Sequence, residues 1–131
     1  MLPPMPHRRS IAHQLVAELQ AGHIRSVAFV VPSDARWTLP LYDVAITTAR
    51  RGWELGIPAA TYWFVTPEPE ASVSLEPEGI TFIGSTYADV RHGVVLLDPQ
   101  DERIEPDRIV SLSENGGLVV DGRASDGAIA A

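Results

Sequence analysis

The stretch SVAFVVPSDARWTLPLYDVAITTARRGWELGIPAATYWFVT, residues 26–66, decides the fold. It begins with an unbroken apolar run at 26–31, which is typical of a strand covered on both faces in a parallel sheet. Residues 39–55 repeat apolar side chains at helical spacing and predict a helix that ends before Gly56 and Pro58. A second β-rich run follows at 59–66. This order predicts a strand–helix–strand unit and therefore an α/β fold.

The flanking sequence adds elements on both sides of this unit. Residues 8–21 predict a helix that stops at Gly22. Residues 67–79 hold four Glu and three Pro, so they predict no full crossover helix and at most a short turn near 70–75. Further strands are predicted at 80–84, at 93–97 with a hairpin partner near 103–105, and at 107–112, with a last ordered segment at 117–121.

These elements predict a small parallel sheet with helices on its faces and an added antiparallel hairpin or meander. We divide the chain into a flexible lead at 1–9, this domain at 10–112 and a Gly- and Ser-rich tail at 113–131. The short connection 67–79 leaves one sheet face thinly covered, and exposed apolar surface costs about 25 cal/mol per Å². A homodimer that covers this face is therefore our hypothesis.

Composition excludes several chemistries. The 131 residues are 45% hydrophobic, which suits one domain with its own core. The absence of Cys excludes disulfides and thiolate chemistry, and the absence of Lys excludes a Schiff base. A net charge of −7 argues against nucleic acid as a partner. No apolar run approaches the roughly 18 residues of a membrane span, and no signal-like stretch opens the sequence. We expect a cytoplasmic protein.

The sequence offers no catalytic or metal-binding set. The four His are scattered without metal-ligand spacing, and no Ser lies in a G-x-S-x-G elbow. The acidic stretch 98–107 lacks the residue order of a calcium loop and is better explained as a solvated hairpin. We therefore predict no catalytic residue and no metal ligand.

Two segments carry a family resemblance. IRSVAFVVPSDARWTLPLYDVAITTARRGWELGI, at 24–57, and TYWFVTPEPE, at 61–70, resemble the nucleotide-binding domain of FAD/NAD(P)-dependent pyridine nucleotide oxidoreductases. The sulfide:quinone-oxidoreductase-like and type II NADH-dehydrogenase-like branch is the most similar. The resemblance covers about residues 10–112, and its W-x-L-P-L-Y segment is distinctive. It implies a Rossmann-like three-layer sandwich and makes NAD(P) or FAD possible cofactors.

The tail adds a weaker resemblance. GLVVDGRASDGAIAA, at 117–131, looks like a compressed copy of a later family segment and stops before the Gly-Asp that contacts FAD. The N-terminal FAD segment of the family is also missing from this sequence. The resemblance therefore implies the inserted nucleotide-binding-type domain alone, as an isolated or truncated domain.

The resemblance also implies where a cofactor would lie. The candidate residues surround the turn after the first strand and the end of the second; they are Pro32, Ser33, Arg36, Trp37, Leu39, Pro40, Tyr42 and Glu68. A dinucleotide fold normally has G-x-G-x-x-G in this turn, so that the backbone approaches the pyrophosphate. Loop 32–38 has no glycine, Asp34 brings negative charge and Pro40 removes an N–H. The usual NAD(P) pose is therefore disfavoured, although Arg36 would offset the charge of Asp34. A capped strand–helix connection is the favoured interpretation of this loop.

Glu68 follows the second strand, where an acid commonly bonds the adenine ribose hydroxyls. It lies over thirty residues past the first loop rather than about 20, and neighbouring Glu residues favour a plain surface acid. Aromatic side chains are the remaining candidates, with Trp37 the best placed to stack on a ligand ring. Core or interface positions are favoured for the whole group: Trp37, Tyr42, Trp53, Tyr62 and Trp63.

Three functions remain open. The first is the NAD(P)-binding-type domain of an FAD-dependent oxidoreductase, which would not turn over alone because the flavin carries the reaction; a flavin-bearing partner domain is then expected. The second is a freestanding Rossmann-like module that has lost dinucleotide binding and binds a small ligand or a protein. The third is a pure interaction domain. The resemblance favours the first, whereas the missing glycines and the short crossover favour the others.

Overall fold

The apolar run that opens the deciding stretch is the central strand of a five-stranded sheet. The computed structural model describes residues 8–32, 38–57, 60–68, 70–71, 73–85, 88–91, 94–97, 103–112 and 117–121. Its helices are α1 (Arg8–Gln20) and α2 (Leu39–Glu54), and a 3₁₀ turn spans Glu76–Glu78. Its strands are β1 (Ser26–Val30), β2 (Thr61–Thr66), β3 (Ile80–Gly84), β4 (Ala88–Arg91), β5 (Val94–Leu97), β6 (Arg103–Ile104), β7 (Arg108–Leu112) and β8 (Leu118–Asp121).

The main sheet has the strand order β3-β2-β1-β7-β8. The first four of these strands are parallel, and the register places Phe29 of β1 opposite both Phe64 of β2 and Val110 of β7. Strand β8 is antiparallel to β7. A mostly parallel sheet with two helices confirms the predicted α/β, Rossmann-like class.

A separate three-stranded antiparallel sheet has the order β4-β5-β6. Val95 of β5 lies opposite Ile104 of β6, which confirms the predicted hairpin. Strand β4 was not predicted: its sequence, ADVR, alternates apolar and polar residues but offers only two apolar side chains. Its pairing with β5, with Ala88 opposite Leu97, defines it as a strand. The local signal of this strand is short, and its antiparallel pairing with the next strand in the chain establishes it.

Strand β8 lies inside the segment interpreted as a tail. Leu118 pairs with Leu112, and the ladder continues to Asp121 opposite Ile109. The main sheet therefore extends past residue 112, and this part of the tail is the edge of the sheet.

Both helices pack on one face of the main sheet. Alternate β1 residues, Val27 and Phe29, face this side and join the buried cluster formed by α1 and α2. Helix α2 joins β1 to β2 and packs against both strands, and α1 packs alongside α2. On the opposite face Ala28 and Val30 are buried in a second, smaller cluster, against which Ile104 of β6 packs.

The connection between β2 and β3 contains no α-helix among its described residues. The 3₁₀ turn Glu76–Glu78 begins a few residues later than the turn predicted near 70–75. Pro77 sits in its first turn, and Gly79, at φ 75°, ends it in the left-handed conformation that glycine adopts most readily. Leu75 is buried in the helix-side core, so the connection crosses the same face as α2.

A buried ion pair joins α1 to β7. The Arg108 guanidinium donates from Nε to Glu18 Oε1 at 3.3 Å and also bonds Glu18 Oε2 through its terminal nitrogen. It donates further to the carbonyl of Asp107 at 2.9 Å. Only 3% of the Arg108 side chain is exposed, against 21% for Glu18. The pair therefore fixes the helix against the sheet from a largely water-free position.

Tyr62 is buried under α2. Its hydroxyl has no hydrogen-bond partner among the described residues. Burial raises the pKa of Tyr62, because the charged phenolate is poorly solvated there. Among the residues described, the hydroxyl therefore contributes no hydrogen bond, and its ionisation works against the folded state.

Stability should fall as pH rises above about 10, the ordinary tyrosine value. The unfolded chain loses the Tyr62 proton first, while the folded chain retains it because its pKa is higher. The unfolded state then binds fewer protons, so the free energy of unfolding decreases with pH. Denaturant titrations between about pH 8 and 11 should show a shallower decrease for Tyr62→Phe than for the native chain. Equal slopes would contradict this account.

Candidate functional site

The carboxyl ends of four parallel strands share one edge of the main sheet, and α2 begins at that edge. Strands β2 and β3 lie on one side of β1, and β7 lies on the other. The chain therefore reverses its direction across the sheet beside β1. Ligands of open α/β sheets bind outside the carboxyl ends at such a switch point. We therefore place the candidate site at this edge.

A three-residue hydrogen-bond cluster lies there, just past the end of β2. The Tyr42 hydroxyl donates to Glu68 Oε1 at 2.9 Å. The Thr66 hydroxyl donates to the same oxygen at 2.9 Å. The Glu68 N–H donates back to Thr66 Oγ1 at 3.2 Å. Two hydroxyl groups and a tight local turn thus fix a half-buried carboxylate at the sheet edge.

Tyr42 reaches this cluster from the helix core. Its ring is buried and stacks on Phe64, with the two ring centroids 4.2 Å apart and an interplanar angle of 23°. Phe64 points toward α2 because residues alternate between faces along β2. The ring contact therefore aims the Tyr42 hydroxyl past the strand end. A ring so enclosed cannot stack on a cofactor, so the hydroxyl is the group that Tyr42 brings to this edge of the sheet.

The start of α2 offers few groups to a phosphate. Thr38 occupies the N-cap position of α2, but its side chain makes no capping hydrogen bond. The N–H groups of Leu41 and Tyr42 both donate to the Thr38 carbonyl, at 3.0 and 3.2 Å. Pro40 has no N–H to donate. The donors that normally hold a pyrophosphate at a helix N-terminus are thus reduced in number.

The structure brings together two of the sequence-predicted site residues, Tyr42 and Glu68. Pro32 is half-buried at the end of β1, Leu39 is exposed at the first position of α2, and Pro40 is buried. These three remain predictions. Ser33, Arg36 and Trp37, together with Asp34, lie outside the described residues.

Two residues of this edge were not predicted from sequence. Thr66 is buried and bonds Glu68, and the Ser85 N–H donates to the Thr66 carbonyl at 2.9 Å. A polar residue closing an apolar strand just before Pro-Glu is a signal that could have identified Thr66. Ser85 has no comparable signal, because its position depends on the pairing of β3 with β2.

The other aromatic candidates separate into core and surface. Tyr62 joins the helix-side cluster and Trp63 packs on the opposite face, as their consecutive positions predict. Trp53 is 83% exposed, so a core interpretation is wrong for it. It lies in the last turn of α2, on the side that the short β2–β3 connection leaves open.

Within the described ranges, no group of three or more His, Asp or Glu side chains is placed to hold a metal ion. None of the helices seen there is long and apolar enough to cross a membrane. Comparison of the chain with protein-family models, curated proteins and solved structures finds no match.

Proposed function

We propose that this chain binds the ribose of a nucleotide at the carboxyl edge of its sheet, with Glu68 as the acceptor. The proposal makes it the NAD(P)-binding-type domain of an FAD-dependent pyridine nucleotide oxidoreductase, working in the cytoplasm. The observation that supports it is the Glu68 carboxylate, held by Tyr42 and Thr66 at the end of β2. In dinucleotide folds this is where an acid accepts hydrogen bonds from ribose hydroxyls.

The chemistry of the cluster suits a diol. An ionised carboxylate only accepts hydrogen bonds, and two adjacent ribose hydroxyls can both donate. The donors from Tyr42 and Thr66 fix the orientation of the carboxylate before a ligand arrives. Less side-chain freedom is then lost on binding, which improves affinity.

On this proposal the chain binds and orients and does not turn over alone. A nicotinamide cofactor supplies hydride chemistry when bound, and Glu68 would hold its ribose. The flavin would belong to a partner domain. A second copy of the chain is the other proposed partner, since the described β2–β3 connection supplies no covering helix.

A second candidate function is favoured by the start of α2. Pro40 lacks an N–H, and the Thr38 carbonyl accepts the N–H groups of Leu41 and Tyr42. These features suit a freestanding module that keeps the ribose-binding acid and has lost the pyrophosphate cradle. Such a module would bind a nucleoside or another small diol as well as it binds a dinucleotide.

Titration with NADH, NADPH, NAD⁺, FAD, FMN and adenosine distinguishes the oxidoreductase domain from the freestanding module. A ligand at 100 times its dissociation constant should raise the free energy of unfolding by about 2.7 kcal/mol, which thermal shift detects. Calorimetry then gives the affinity. Glu68→Gln should weaken binding by roughly tenfold, because a hydrogen bond to a charged group contributes about 1.5–3 kcal/mol. Glu70→Gln, an exposed acid two residues away, is the matched control and should bind normally.

The outcomes are distinct. NADH or NADPH binding well ahead of adenosine supports the oxidoreductase domain. Adenosine binding equally well supports the freestanding module. Failure of every ligand to bind, or binding that Glu68→Gln leaves unchanged, rejects ribose recognition at this edge.

A further inference from the structure

The outer surface of α2 carries two grooves, and an exposed tryptophan lines one of them. Trp53 is 83% exposed at the end of the helix. One groove, of about 510 Å³, runs between α2 and the 3₁₀ turn and is lined by Ala49, Trp53 and Pro77 among others. A second, of about 350 Å³, runs between α2 and α1. Arg50 and Glu54 line both grooves and form the ridge between them.

The first groove follows from the short β2–β3 connection. Parallel strands are usually joined by a crossover helix, which would lie beside α2 on this face. The described part of the connection has the 3₁₀ turn Glu76–Glu78 instead, tied to α2 by the Arg50–Glu78 ion pair at 2.7 Å. Helix α2 therefore has α1 on one side and an open apolar flank with Trp53 on the other.

Charge is divided across this surface. The groove toward α1 is lined by His13 and Arg51, and the groove toward the 3₁₀ turn is lined by Glu76 and Glu78. Across the two grooves the positive charges of the Arg residues nearly balance the negative charges of the Glu residues, whereas the whole chain has a net charge of −7. Like-charge repulsion between two copies is therefore weaker here than the net charge suggests.

We infer that this surface is a two-fold interface with a second copy of the chain. In this interface Trp53 of each copy enters the groove between α1 and α2 of the other copy. An isologous interface must be self-complementary. A two-fold axis near the ridge lays the Arg51 side of one copy over the Glu76 side of the other, and the same contact is repeated by symmetry. Tryptophan at the centre of such an interface typically carries a large share of the binding energy.

The inference deepens the partner part of the proposed function and commits it to one surface. It does not involve the cluster at Glu68, which lies at the other end of α2. Ligand titration and association measurements can therefore fail independently of one another.

Sedimentation velocity across micromolar to millimolar concentrations tests it. The native chain should dimerise, and Trp53→Ala should raise the dimer dissociation constant at least tenfold. Val119→Ala is the matched control, since Val119 is an exposed apolar residue of β8, 44% accessible and away from α2. It should leave dimerisation unchanged. Circular dichroism and thermal unfolding of each variant establish that the fold is retained.

A charge exchange makes the test specific for the two-fold arrangement. Arg51→Glu and Glu76→Arg should each weaken self-association about tenfold, because each creates like-charge contacts twice across the axis. An equimolar mixture of the two variants should recover the dimer, since every contact in the mixed pair again joins opposite charges. A chain that stays monomeric to about 1 mM, a dimer indifferent to Trp53→Ala, or a mixture that does not recover overturns the inference.

Discussion

Replacing Glu18 by alanine should lower the free energy of unfolding by about 3 kcal/mol, the lower end of the range for breaking a buried ion pair. Arg108 keeps its charge and is 3% exposed, so water replaces the lost carboxylate poorly. The Asp107 carbonyl still accepts one of its hydrogen bonds. The partial exposure of Glu18 limits the loss.

Urea titration measures this change, and two further variants identify its cause. The double variant Glu18→Met with Arg108→Met should lie within about 1 kcal/mol of the native chain, because both desolvated charges are then removed. Glu78→Ala is the second variant, and it removes the carboxylate that pairs with Arg50. The Arg50 side chain is 69% exposed, so in dilute solution this change should alter the free energy of unfolding little. A Glu18→Ala variant as stable as Glu78→Ala would contradict the buried-charge explanation.

Replacing Gly52 by alanine should destabilise the fold by about 1–3 kcal/mol, the usual cost of overpacking. A Cβ at this position would lie 2.7 Å from the Tyr62 hydroxyl oxygen, closer than packed atoms approach. Gly52 is in the last turn of α2, where alanine is otherwise preferred over glycine by up to about 1 kcal/mol. Helix propensity and packing therefore oppose each other at this position.

Tyr62→Phe should reverse the sign of that effect. The next nearest atom to the added Cβ is the ring carbon that bears the hydroxyl, at 4.0 Å, which is ordinary contact. In the Tyr62→Phe background, Gly52→Ala should therefore stabilise the chain by up to about 1 kcal/mol. A four-variant cycle of urea titrations measures the coupling. Equal effects of Gly52→Ala in both backgrounds would show that the hydroxyl does not set the cost.

The same pair of residues shows why sequence periodicity describes this core only in part. The stripe of Leu41, Ala45, Thr48 and Gly52 marks the buried side of α2, and all four are buried. Periodicity gives no reason for a glycine at the last position. The reason is Tyr62, which the parallel pairing of β2 with β1 places beneath it.

The candidate site was likewise predicted from the sequence only in part. The position of Glu68 after an apolar strand was enough to select it from sequence. The hydroxyl of Tyr42 was not selected as its partner, because the two residues are 26 positions apart and meet only when α2 lies across β2. Trp53 shows the converse: a helical position suggested packing, and the short β2–β3 connection left it exposed.

The local pattern of apolar residues, prolines and glycines determined the helices, the parallel strands β1, β2, β3 and β7 and the hairpin, because these depend on backbone preference and on which side chains avoid water. Tertiary structure alone decided the strand order, the pairing of β4 and β8, the Glu18–Arg108 pair and the Tyr42–Glu68–Thr66 cluster. The strand order, the Glu18–Arg108 pair and the Tyr42–Glu68 contact join residues distant in the chain, whereas β4 and β8 each pair with a strand adjacent in sequence. Such contacts form only when separate elements pack together, and the local sequence of one segment carries no information about that packing.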